Sequence, residues 1–120
     1  MSTIVLNSLN YVGTGILNGV SYFYERASGL VNAFSVLTGR VNYGTTKTTV
    51  AYKLTVPIVQ EDDSACGCAG EVVRTTIVDI SVRFDRSATS AERADVLARV
   101  QDLVATTQFE SSIINLAQPE

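Results

Sequence analysis

Histidine and tryptophan are both absent from the 120 residues. Without histidine the chain lacks the commonest general base and a principal metal ligand. The sequence also offers no nucleophile motif, no glycine-rich phosphate loop and no metal-binding cluster. An enzymatic reading would have to use Asp79, Arg83 and the Asp62-Asp63 pair. Paired acids in a loop are ordinarily solvated charges, so a non-enzymatic protein with no cofactor and no metal site is expected. No apolar run approaches the ~20 residues that a membrane helix needs. The first 24 residues carry no Lys or Arg, which gives no support to a secretory signal with a basic leading region. A soluble chain made in the cytoplasm is the expectation. Cysteine is scarce as well: Cys66 and Cys68 are the only two.

What is present fits one domain spanning 1–120. A chain of this length with 46% hydrophobic content can build a single core. The net charge of −3 argues at first against a nucleic-acid binder. Its distribution matters more. Four of the 12 acids, Glu61, Asp62, Asp63 and Glu71, sit in or beside the cysteine stretch, leaving 8 acids against 9 Lys plus Arg elsewhere. A basic face can therefore exist on the rest of the chain.

Residues 3–24 alternate short apolar runs with Asn, Gly, Ser and Thr, which reads as short strands or a hairpin with Gly-containing turns. Residues 32–44 give another strand candidate, ending at Gly44. Residues 47–59 show a clear period of two. Thr48, Val50, Tyr52, Leu54 and Val56 share one face; Lys47, Thr49, Ala51, Lys53 and Thr55 share the other. Pro57 marks a strand end or a bulge. Beyond residue 71 the pattern returns, with Thr76, Val78, Ile80, Val82 and Phe84 opposite Thr75, Ile77, Asp79, Ser81 and Arg83. The two strands flank residues 60–71 and are expected to pair as an antiparallel hairpin with a long tip. At residue 87 the chemistry changes. Thr89 to Glu92 fits a capping box, and helical spacing follows to about residue 106. After an interruption at Thr106-Thr107-Gln108, a second short helix is expected, with Phe109, Ile113, Ile114 and Leu116 turned inward and Pro119 closing it. Strands first and helices last give an α+β chain: a hairpin over 1–20, an antiparallel sheet over 21–86, and two helices over 87–120.

Two short helices cannot easily cover the apolar face of such a sheet, and edge strands would stay open. A homodimer that exchanges its helices would solve both problems. The other face then stays open, carrying Lys47, Thr49, Lys53, Thr55, Asp79, Ser81 and Arg83, with Thr38, Arg40 and Asn42 from the preceding strand. Hydroxyls, amides and cations can bind bases and phosphates, although alternation always leaves a polar side and a merely solvated face is the plainer reading. In the cysteine stretch, a Cys66–Cys68 bridge would close a small, strained ring. Zinc binding by two thiols beside carboxylates lacks further ligands unless several chains contribute. Free exposed thiols remain as a reading.

The ordered set of parts resembles the coat protein of single-stranded RNA bacteriophages, the leviviruses. It rests on the Asn18-Gly19-Val20 turn, the AYKLTV strand at 51–56, VDISVRF at 78–84, the helix start in SATSAERADVLARVQDLVAT, and the SSIINLAQP terminus with Asn115-Leu116 and Pro119. The match runs in order from residue 18 to 120. The resemblance implies an N-terminal hairpin, a five-stranded antiparallel sheet and two helices that lock over the sheet of a partner in an intertwined homodimer. It implies an icosahedral virion shell, assembled in the bacterial cytoplasm, whose inner sheet face binds genomic RNA. Carried onto this chain, Lys53, Thr55 and Asp79 fall on RNA-facing positions, with Lys47, Thr49, Thr38, Arg40 and Asn42 beside them. Ile77 falls where some members place a base-stacking tyrosine, and an aliphatic chain forfeits the ~1–3 kcal/mol that stacking supplies. The resemblance also implies that the loop holding Cys66 and Cys68 gathers around symmetry axes. There two cysteines per chain can bond neighbouring subunits into rings, and the acidic run 61–63 would repel its copies unless cations bind. A non-viral homodimeric binding module built on a sheet platform is the alternative.

Overall fold

The computed structural model describes residues 2–26, 34–59 and 72–119. Among the described residues six strands precede two helices: β1 Thr3–Leu6, β2 Leu9–Leu17, β3 Val20–Glu25, β4 Ser35–Tyr43, β5 Lys47–Val59, β6 Val72–Asp85, α1 Ser90–Val104 and α2 Thr107–Asn115. The chain divides into two compact units, Met1–Arg83 and Phe84–Glu120.

In the first unit the strands form one sheet in the order β1-β2-β3-β4-β5-β6. The pairs from β1 to β5 are antiparallel. Tight turns explain why neighbours in sequence become neighbours in space. Asn7 and Ser8 join β1 to β2 with φ of 50° and 64°, and Asn18 and Gly19 join β2 to β3 with 53° and 78°. Two central residues with positive φ match the twist of a right-handed hairpin. Between Gly13 and Gly15 the β2–β3 register shifts. Gly15 has a φ of 149°, which a side chain would resist, and Thr14 donates its hydroxyl to the carbonyl of Tyr22. This bulge lets β2 serve both as hairpin arm and as sheet member. The expected hairpin over 1–20 and the sheet over 21–86 are continuous: β1 and β2 form the hairpin, β3 to β6 follow, and together they make one six-stranded sheet in place of the five strands expected beside the hairpin.

Among the described residues Tyr11 (3% exposed), Phe23 and Leu37 are the buried hydrophobics, with Ile4, Leu6 and Leu54 packed against them. The polar side chain of Ser35 is buried beside them. Ser35 donates its hydroxyl to the carbonyl of Thr55 at 2.8 Å. A serine has only one hydroxyl hydrogen, so Tyr11 must donate in the 2.8 Å contact between its hydroxyl and Ser35 Oγ. This chain of bonds ties β2, β4 and β5 together. Ser35→Ala would leave the buried Tyr11 hydroxyl unsatisfied, at a cost of about 1–3 kcal/mol. The expected result is a lower urea midpoint for Ser35→Ala. Adding Tyr11→Phe should recover part of it. A double mutant no more stable than Ser35→Ala alone would show that the bond is not made.

Cross-strand packing also explains a buried glycine. Gly39 pairs with Tyr52, and a Cβ at Gly39 would stand 2.8 Å from the Tyr52 ring. The tyrosine ring occupies the space that a side chain would need.

In the second unit the expected cap is present: Glu92 N–H donates to Thr89 Oγ1 at 3.2 Å. Arg93 Nη1 also donates to the carbonyl of Ala88 at 2.7 Å. The break between helices is shorter than the sequence suggested. α1 ends at Val104, and Thr106 caps α2 by accepting from Phe109 N–H at 3.1 Å. A threonine that interrupts one helix can start the next. The helix ends on Leu116 in the left-handed conformation, with φ of 56°. One expectation needs correction. Phe109, Ile113, Ile114 and Leu116 were expected inward, yet all are exposed in the single chain, Ile114 at 69%. An apolar stripe identifies a surface that wants covering, not what covers it. No helix among the described residues is long and apolar enough to cross a membrane.

Candidate nucleic-acid interface

Register decides which side chains share the open face. In the β4–β5 ladder Thr38 pairs with Lys53, Arg40 with Ala51, Asn42 with Thr49 and Val36 with Thr55. Paired residues point to the same side of a sheet. Thr38, Arg40 and Asn42 therefore lie with Lys53, Thr49 and Thr55. By alternation Lys47 joins them. The even residues Thr48, Val50, Tyr52 and Leu54 face the other way with Leu37, Gly39 and Val41.

β6 completes both faces. Asp79 and Ser81 line a depression of about 250 Å³ with Thr38, Arg40, Ala51, Lys53 and Val20. Val78 and Ile80 line an apolar one of about 290 Å³ with Leu37, Tyr52, Leu54, Ile4 and Leu6. Ile77 and Arg83 alternate with Asp79, so they belong to the polar face. Ile77 is 54% exposed there. The side chains of Arg40, Lys47, Lys53 and Arg83 thus bring four cations to one face, against the carboxylate of Asp79 and, by the same alternation, that of Asp85 at the end of β6. The chain is acidic overall, but this face is basic. Cys66, Cys68 and the acidic run 61–63 lie outside the described residues. Among the described residues no group of three or more His, Cys, Asp or Glu could hold a metal ion.

The sequence reading missed part of this face. Tyr22 pairs with Thr38 and Tyr24 with Val36, so both rings stand on the polar side. Phe34 and Arg26 stand beside them, as their contacts with Tyr24 show. A period of two in Tyr22, Tyr24 and Arg26 was the available signal.

The opposite face is apolar and open in the single chain. Val41, Tyr43, Tyr52, Val78 and Ile80 are exposed on it, Ile80 at 49%. The result is a sheet with a basic, hydroxyl-rich side and an uncovered hydrophobic side. A comparison with protein families matches residues 4–119 to the levivirus coat protein.

The chain belongs to the levivirus coat protein family.

Solved coat-protein structures agree in fold. The virus-like particle of Beihai levi-like virus 21 has 19% identity to this chain and a TM-score of 0.85, covering 98% of this chain and 96% of that one. The virus-like particle of bacteriophage ESE058 has 13% identity and a TM-score of 0.84, covering 98% and 96%. The capsid protein of bacteriophage GA has 14% identity and a TM-score of 0.80, covering 97% and 95%. Sequence comparison with curated proteins finds no match. As a levivirus coat protein the chain is a structural component of the virion and not an enzyme. Membership of a viral family decides against the non-viral binding module.

Proposed function

We propose that this coat protein dimerises through its apolar sheet face, that dimers assemble into an icosahedral shell, and that the basic face packages single-stranded RNA inside it. Assembly takes place in the cytoplasm of the bacterial host. The observation that carries this reading is the opposition of the two faces. One exposes Tyr52, Val78 and Ile80, and burying such area is the main drive to association. The other gathers Arg40 and Lys53 with Thr38, Asp79 and Ser81 around one depression, a mixture suited to phosphates and base edges. Thr38, Arg40, Asn42, Lys47, Thr49, Lys53, Thr55, Ile77 and Asp79 are the proposed RNA-facing residues. That two relatives are known as virus-like particles supports assembly.

Electron microscopy of the chain expressed alone in bacteria, with an ultraviolet absorbance ratio on the same fraction, tests all of this. Uniform spheres absorbing like nucleoprotein are expected. A free dimer near twice 12.9 kDa, without nucleic acid, would overturn the shell and its cargo together.

Cys66 and Cys68 are proposed to link neighbouring subunits. Replacing both with serine should leave assembly intact and lower the non-reducing melting temperature by roughly 10 °C, given ~2–4 kcal/mol per bridge. A ladder of linked chains should vanish from non-reducing gels. Equal melting of the two forms, with no ladder in either, removes the bridge.

A further inference from the structure

We infer that the stripe formed by Tyr22, Tyr24 and Phe34, with Arg26 at its end, is a base-stacking site for single-stranded RNA, separate from the depression between β4, β5 and β6. The inference rests on the reading of the open face as the RNA surface and adds a second, sequence-tolerant site to it.

Four observations carry it. The Tyr22 and Tyr24 rings lie 6.5 Å apart and 14° from parallel. Phe34 meets Tyr24 edge-on at 6.4 Å. The Arg26 guanidinium stands 5.4 Å from the Tyr24 ring centre and 5.6 Å from that of Phe34. Beside the tyrosines runs a groove of about 370 Å³, walled on its far side by Thr14, Gly15, Ile16 and Leu17. The bulge at Gly13/Gly15 shapes that wall.

Aromatic rings on a basic sheet are what non-specific single-strand binders present. Every base has a π face, and a nearby guanidinium adds both cation–π contact and phosphate attraction. The stripe is continuous with the basic face, because Tyr22 pairs with Thr38 and Thr38 pairs with Lys53. A strand of RNA whose phosphates meet Arg40 and Lys53 can therefore lay neighbouring bases on β3. This also offsets the aliphatic Ile77. Stacking is absent from that position on β6 and is supplied from the other end of the sheet.

The test uses the full-length chain and two labelled 20-nucleotide probes, an oligoadenylate and an abasic strand with the same number of phosphates. The double variant Tyr22→Leu/Tyr24→Leu keeps apolar bulk and removes the π faces. It should bind oligoadenylate about tenfold more weakly and the abasic strand as wild type does. Tyr22→Phe/Tyr24→Phe should bind both like wild type. Ultraviolet crosslinking of the wild-type chain to oligouridylate, which needs no variant to fold, should place nucleotide adducts on Tyr22 or Tyr24. Unchanged oligoadenylate binding by the leucine variant, or adducts found only elsewhere, overturns the stacking site while leaving the basic face in place. A wild-type chain that binds neither probe overturns the RNA face itself, and the stacking site with it.

Discussion

Replacing Ile80 by aspartate is expected to abolish particles, while the same change at Ile77 should not. The two isoleucines sit three residues apart on one strand and are similarly exposed in the single chain, 49% and 54%. Odd and even positions on a strand point to opposite faces. If the chain acted alone, both substitutions would be minor, because exposed changes usually stay within about 0.5 kcal/mol. In the proposed dimer Ile80 is buried and Ile77 is not. An unpaired carboxylate in a buried interface costs about 3–5 kcal/mol. A twofold interface repeats each change, so even the lower figure, taken twice, weakens the dimer by about four orders of magnitude. Size-exclusion chromatography and electron microscopy of both variants decide the matter. Normal particles from Ile80→Asp would remove the apolar face from the dimer.

Charge reversal of Arg40 and Lys53 is expected to empty the proposed particle of RNA without unfolding the chain. Both side chains are exposed and line the same depression. Their loss should shift the unfolding midpoint little, and binding to single-stranded RNA should fall on the order of ten- to hundredfold at physiological salt. The neutral pair Arg40→Gln/Lys53→Gln gives a sharper readout. Each phosphate contact on a single strand contributes about 0.7 to the slope of log affinity against log salt, so losing both lowers it by about 1.4. Wild-type RNA content in the reversed variant, with an unchanged salt slope in the neutral one, would place the cargo elsewhere.

Much of this was legible in the sequence because period two survives in long strands. β5 and β6 declared both of their faces, and Thr89 declared the start of α1. The position of β4 was harder. Its alternation fits either face until the pairing of Thr38 with Lys53 fixes the register, and a slip of one residue inverts every side chain. The aromatic stripe was hidden for a related reason. Tyr22 and Tyr24 read as strand-forming aromatics, and only pairing with β4 shows that they share a side with Lys53. α2 shows a different limit. Its apolar residues were visible, but Ile114 is exposed in the single chain, and the surface that covers an apolar stripe leaves no trace in the stripe's own sequence.

The order of the sheet has a kinetic consequence. Every strand pairs with the strand made just before it, and two of the connections are two-residue turns. Among sheet proteins such a meander keeps loop closure short, and chains rich in local pairings fold fast. Each hairpin can close as it leaves the ribosome, before the helices exist. The part of the basic, hydroxyl-bearing side carried by β4 and β5 can then form before β6 and the helices join it. Under the proposed function, the cations of β4 and β5 would thus be on offer to RNA before the helices that the proposed dimer exchanges are in place.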